Sequence, residues 1–130
     1  MRALDTNVLL RFLLDDNRDQ AATVERIFME GRRSHEHLFI TTPVLCEMVW
    51  TLKGQGQSKA QIVSILETFT KDGIFRLDQE REVIDALDSH RAGRASFADY
   101  LIGHLAQKSG CRDTVTFDKK LKGSPGFTIL

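Results

Sequence analysis

Short apolar or β-branched runs alternate along this chain with longer stretches whose apolar residues return at helical spacing. Five short runs read as strands: 2–4, 38–41, 74–77, 114–117 and 127–130. Their composition is that of parallel strands buried in a sheet. Between them lie the helix patterns. A helix is expected to start at Asn7. Segment 19–31 carries Ala22, Ile27 and Phe28, with Gly31 as its natural stop. Thr42-Pro43 is a start signal, Thr42 as N-cap and Pro43 in the first helical position, ahead of a stripe of Val44, Leu45, Met48, Val49 and Leu52. Gly54 and Gly56 break that helix from the next. The next opens on the capping box Ser58-Lys59-Ala60-Gln61 and carries Ile62, Ile65, Leu66 and Phe69. Segment 79–90 has Val83, Ile84 and Leu87, and a last helix begins near Ser96 with Phe97, Leu101, Ile102 and Leu105.

This alternation predicts a three-layer α/β/α sandwich on a mainly parallel five-stranded sheet. With no internal repeat, low-complexity tract or break in composition, residues 1–130 are expected to form a single domain. Ligands of such sheets collect outside the carboxyl ends of the strands. Polar residues that immediately follow each strand therefore carry the functional interest.

Asp5 follows the first strand and Asp118 the fourth. Two carboxylates at one sheet edge raise each other's pKa, and a bound cation reverses that penalty. Glu47 falls on the flank of the stripe in the helix opened by Pro43. Asp99 occupies the same kind of flank in the first turn of the helix near Ser96, where the helix N-terminus favours its ionised form. Each acid also has a structural reading. Asp5 and Asp118 suit caps or turns, Ser96-Phe97-Ala98-Asp99 fits a capping box, and Glu47 suits a solvated surface.

Composition narrows the classes. Hydrophobic residues make up 42% and charged residues 28%, which excludes disordered and fibrous chains. Eighteen Lys and Arg balance eighteen Asp and Glu, so bulk charge does not hold a polyanion here. Any nucleic acid must be gripped by a local basic patch or through metal ions, and Arg32-Arg33, Lys119-Lys120 and Lys122 are the visible clusters. Net neutrality also favours self-association. Cys46 and Cys111 match no metal-knuckle or redox spacing and are expected to be buried free thiols. The opening apolar stretch is interrupted by Asp5 and Arg11 and no small-residue cleavage site follows, so no leader is expected. No run reaches the roughly 20 apolar residues of a membrane span. A cytoplasmic location is the expectation. His35, His37, His90 and His104 form no ligand spacing and are expected on surfaces or helix faces.

The whole chain carries a family resemblance. Ala3-Leu4-Asp5-Thr6-Asn7-Val8-Leu9-Leu10 resembles the opening motif of PIN-domain nucleases. Phe97-Ala98-Asp99-Tyr100-Leu101-Ile102 and Thr116-Phe117-Asp118-Lys119-Lys120-Leu121 resemble the later acidic motifs of their VapC toxin branch, and Pro43-Val44-Leu45-Cys46-Glu47 occupies the place of the intervening Glu. The resemblance implies a doubly wound fold, Mg²⁺ or Mn²⁺ at the acids and hydrolysis of RNA phosphodiesters. It also implies a homodimer and a small antitoxin that blocks the site. Carried over by position, Asp5, Glu47, Asp99 and Asp118 become the catalytic acids. Asp5 and Asp99 are the inner metal ligands, while Glu47 and Asp118 act through water or complete a second site. Thr6, Asn7 and Thr116 would orient them or the attacking water. Tyr100 departs from the small residue common there and should alter packing or substrate contact beside Asp99. Trp50, away from the apolar stripe, suits a protein interface, a stacked base or a covering helix.

Three rivals set limits on that reading. A phosphatase of the haloacid dehalogenase type needs a second Asp two residues after the first, where Asn7 stands. A phosphate-receiving domain needs an acidic pair near the first strand and a central acceptor Asp, for which only Asp78 offers itself. A non-catalytic PIN-like scaffold that binds RNA or a protein has no need to keep four acids.

Overall fold

The computed structural model describes all 130 residues. The elements run β1 (Arg2–Ala3), α1 (Thr6–Leu13), α2 (Arg18–Ser34), β2 (Leu38–Ile40), α3 (Thr42–Gly54), α4 (Lys59–Lys71), β3 (Phe75–Leu77), α5 (Glu80–Ala92), α6 (Phe97–Lys108), β4 (Thr114–Thr116), a 3₁₀ turn (Lys119–Leu121) and β5 (Phe127–Ile129). Helices alternate with parallel strands, the mixed α/β architecture expected from the pattern. They form two compact units, Met1–Glu80 and Arg81–Leu130.

In the first unit, β2 lies between β1 and β3, parallel to both, in the registers Ala3↔Phe39 and Ile40↔Leu77. Leu38 and Ile40 of this central strand are fully buried. Helix α1 packs on α2 and α3, α3 on α4, and α4 on β3. Leu45, Met48 and Leu52 of α3 and Leu66 of α4 are all 0% exposed, which identifies the stripe of each helix as its core face. An aromatic chain runs through the same core. Phe12 meets Phe28, Phe28 meets Phe75, and Phe75 meets Phe69, with ring centroids 4.9, 5.4 and 4.8 Å apart in tilted or edge-on geometry.

Two helix boundaries differ from expectation. Gly31 does not end α2 but sits buried inside it. A Cβ there would come within 3.0 Å of the Glu36 carbonyl and 3.1 Å of Ile74, so close backbone approach is what demands glycine. The helix ends instead at His35, in the left-handed region with φ 57°, whose N–H donates to the Gly31 carbonyl. For α3, the N-cap is Thr41 rather than Thr42, and Pro43 is one position further in. The Ser58 capping box forms as expected, Ser58 Oγ accepting from Gln61 N–H and the Gln61 side chain accepting from Ser58 N–H.

In the second unit, β4 pairs in parallel with β5 in the register Val115↔Thr128. The five strands thus form a three-stranded and a two-stranded ladder rather than one five-stranded sheet. Local pattern reports a strand and its parallel character but not which neighbour it chooses. Segment 117–126 joins β4 to β5, a short connection for parallel strands, and takes positive φ at Gly123 and Gly126. Nor is β4 covered on both faces, because Val115 and Phe117 are exposed.

The buried residues of α5 are Val83, Ala86, Leu87 and His90, while Ile84 is on the surface. Those of α6 are Phe97, Tyr100, Leu101 and Gly103, while Ile102 is exposed. Tyr100 and Gly103 thus take the core places expected of Ile102 and Leu105. Tyr100 packs over Gly93, where a Cβ would overlap the phenol, and its hydroxyl accepts from Ala95 N–H at 3.4 Å. Its departure from a small residue is therefore a matter of packing.

Candidate active site

The β1–β2 register, continued by a hydrogen bond from Leu4 N–H to the Phe39 carbonyl, brings Asp5 and Thr41 side by side at the carboxyl edge of the first unit's sheet. Asp5 is the N-cap of α1. One of its carboxylate oxygens accepts from Thr6 N–H at 2.8 Å. The other has no partner within the chain. Thr6 is buried behind it and Asn7 is exposed on the first turn. Glu47 stands exposed on α3 beside fully buried Met48 and takes part in no hydrogen bond or ion pair. Cys46, next to it, is a half-buried free thiol whose pKa burial pushes up.

The second unit holds the other two acids. Ser96 caps α6, and the capping box closes when Asp99 Oδ2 accepts from Ser96 N–H at 3.1 Å. Asp118 follows β4 and caps the 3₁₀ turn, its Oδ1 accepting from Lys120 N–H at 2.9 Å. The Asp118 N–H donates to Thr116 Oγ1 at 3.1 Å, which ties the backbone of this residue to the strand.

The structural readings of Asp5, Asp99 and Asp118 are therefore all realised. Each spends one oxygen on a backbone N–H, Asp5 and Asp118 as N-caps and Asp99 as the third residue of a capping box, and leaves the other without a protein partner. None of the four acids is ion-paired. Neither unit by itself brings three His, Cys, Asp or Glu side chains to a common point that would hold a metal ion. The donor set still suits Mg²⁺, because carboxylate oxygens are the hard ligands it prefers and no lysine or arginine neutralises them.

Other groups account for themselves. Asp78 follows β3 at the same edge as Asp5, two strand spacings or about 10 Å of backbone away, and its Oδ1 accepts from Gln79 Nε2 at 3.3 Å. Arg32 is bidentate to Asp72 and Arg33 bonds Glu30, so the first basic cluster is neutralised. Arg11 is held by Gln20 and Asp16. Lys119, Lys120 and Lys122 are exposed and without ion pairs. His90 lies on the buried face of α5, where its Nδ1 meets the Ala95 carbonyl at 3.0 Å. His104 Nε2 lies 3.1 Å from Ser89 Oγ in a cavity of about 300 Å³. No carboxylate lines that cavity to orient the imidazole, so it is not a Ser-His-acid triad. Cys111 is exposed rather than buried, since α6 has already ended. Trp50 is 78% exposed, and no helix covers it.

A PIN-domain family model matches residues 2–124. The chain belongs to the PIN-domain family. Among relatives, this PIN domain is 29% identical over 123 residues to a VapC ribonuclease of Aquifex aeolicus (strain VF5), a match covering 94% of this chain and 90% of that protein. Among solved structures it is similar to VapC20 of Mycobacterium tuberculosis, described as a sarcin–ricin-loop-cleaving toxin. The identity there is 16%, the coverage 97% of this chain and 96% of the other, and the TM-score 0.46. No helix of the PIN domain is long and apolar enough to cross a membrane.

Proposed function

We propose that this PIN domain is a Mg²⁺-dependent endoribonuclease, the cytoplasmic toxin of a toxin–antitoxin pair, acting as a homodimer. The observation that carries the reading is the half-used carboxylate. Asp5, Asp99 and Asp118 each spend one oxygen on a backbone N–H and keep the other unpartnered, and none of the three is ion-paired. A capping bond fixes the side-chain rotamer, so the free oxygen is held in place rather than left to wander. Glu47 adds a fourth unpaired carboxylate.

In this reading Asp5 and Asp99 hold Mg²⁺, or Mn²⁺ in its stead, directly. Glu47 and Asp118 position water or complete a second ion site. A bound divalent cation supplies charge against the phosphodiester and acidifies water. Thr6 and Asn7 set the first turn of α1 on which Asp5 is held, and Thr116 fixes the backbone of Asp118. The VapC ribonuclease relative, matched over nearly its whole length, supports RNA as substrate, and the resemblance of the acidic motifs to the VapC toxin branch supports a small antitoxin as partner. Exposed Trp50 supports a protein partner on α3, since Trp is enriched at such interfaces.

The test is cleavage of total cellular RNA by the purified chain with Mg²⁺, with EDTA, and by the Asp5→Asn variant with Mg²⁺. Cleavage that requires both metal and Asp5 is expected. Absence of cleavage by antitoxin-free protein in all three samples would leave only an RNA- or protein-binding scaffold.

A further inference from the structure

The residue before Asp118 has no role in the reading so far. Phe117 is 80% exposed, more than any other large apolar side chain of the chain. An aromatic ring left in water is unfavourable relative to burial, and this one is not on a loose loop. On one side Thr116 is paired with Ile129 in the β4–β5 ladder, and its Oγ1 accepts from Asp118 N–H. On the other side the 3₁₀ turn is anchored by Leu121, which is 2% exposed and donates its N–H to the Asp118 carbonyl. Val115, two residues back and so on the same side of the extended chain, is also exposed.

Charge decides what such a surface receives. Lys119, Lys120 and Lys122 follow within five residues, all exposed and none ion-paired. Lysine is depleted at the cores of protein interfaces, which argues against a protein partner on this face. An exposed aromatic beside unpaired cations is instead the arrangement that holds single-stranded nucleic acid, the base stacking on the ring and the phosphates meeting the charges. A base inside a duplex offers no free face, so the RNA must be unpaired there.

We propose that Phe117 is the platform on which an unpaired base of the RNA stacks, with Lys119 and Lys120 holding the flanking phosphates beside Asp118. The proposal rests on the ribonuclease reading and assigns to that site the residue that contacts a base. Phe117 is a substrate-binding residue here, with no part in holding metal.

The test measures fluorescence anisotropy of a short fluorescein-labelled oligouridylate and of an abasic oligoribonucleotide of equal length, both in EDTA so that neither is cut. Phe117→Ala should weaken oligouridylate binding roughly tenfold and leave abasic binding unchanged. Phe117→Tyr should bind both like the parent, which separates loss of a ring from loss of fold. The Lys119→Ala/Lys120→Ala variant should weaken both probes and flatten the salt dependence by about 1.4 in log–log slope. Equal oligouridylate affinity of Phe117→Ala and the parent overturns the platform. So does a Phe117→Ala variant that turns a dimer into a monomer with unchanged RNA binding, which would make this a protein interface. Parallel cleavage of total RNA in Mg²⁺ keeps the two ideas apart. Cutting by parent and Phe117→Ala alike, with equal binding, sinks the platform alone. Base-dependent binding with no cutting by the parent sinks the ribonuclease reading alone.

Discussion

At the scale of single residues, the proposed metal-holding role of Asp5, Asp99 and Asp118 is separable by substitution from their bonds to backbone N–H. Asp5→Asn keeps an oxygen for the Thr6 N–H but loses the charge, whereas Asp5→Ala loses both. The amide variant should unfold within a few tenths of a kcal/mol of the parent and cut no RNA. The alanine variant should be less stable by about 1 kcal/mol as well. Urea midpoints and RNA cleavage measured on the same samples check this, and an Asp5→Asn protein that cuts normally at saturating Mg²⁺ removes Asp5 from the ligand set. The acids were legible in the sequence by their places after strands and in a capping box. That one oxygen of each carboxylate is taken by a backbone N–H while the other stays unpartnered was not, because a sequence does not say which oxygen is already taken. Phe117 was passed over for a related reason. An aromatic at the end of a strand pattern reads as core, and only burial reveals that this one is not.

Among elements, the contact between α2 and the end of α4 offers a pH-dependent test. The Arg32 guanidinium bonds both oxygens of Asp72 and holds that carboxyl below its ordinary 3.8, with the Ile74 N–H adding to the effect. A carboxyl depressed in the folded state stabilises the fold above its unfolded pKa, and that contribution is lost as pH falls through the folded value. Arg32→Gln should therefore be less stable than the parent at neutral pH, by at most about 1 kcal/mol for so exposed a pair. The difference should close well below pH 3.8. Urea denaturation at both pH values checks it, and a gap that persists in acid assigns Arg32 a role other than this pairing. The elements themselves were legible because each has its own period and start signal, as at Ser58 and Ser96. Boundaries and partners were less so. Gly31 reads as a stop locally, yet the approach of Glu36 and Ile74 makes it an interior residue. The division into two ladders depends on pairings far apart in the chain, which no local pattern encodes.

For the whole molecule, zero formal net charge means that RNA is not drawn in by bulk attraction and that binding must depend on a few named groups. On the proposed metal site, binding of the ion is also read in stability. Mg²⁺ at a hundredfold its Kd should stabilise the chain by about 2.7 kcal/mol, read as a rise in Tm that Asp5→Asn abolishes. No rise in the parent at any Mg²⁺ concentration would refute the metal-site proposal. The capping bonds carry one more consequence, for descent rather than for chemistry. A gene that loses this activity by drift does not lose its acids with equal ease to every replacement. On the proposed reading, alanine or valine at position 5, 99 or 118 would disable the chain and also loosen it, which exposes such copies to proteolysis. Asparagine at the two cap positions, or glutamine at 99, would disable it and leave a folded protein behind. Inactive descendants that persist as binding proteins should therefore carry amides at these places, a signature to look for when silent copies are sequenced.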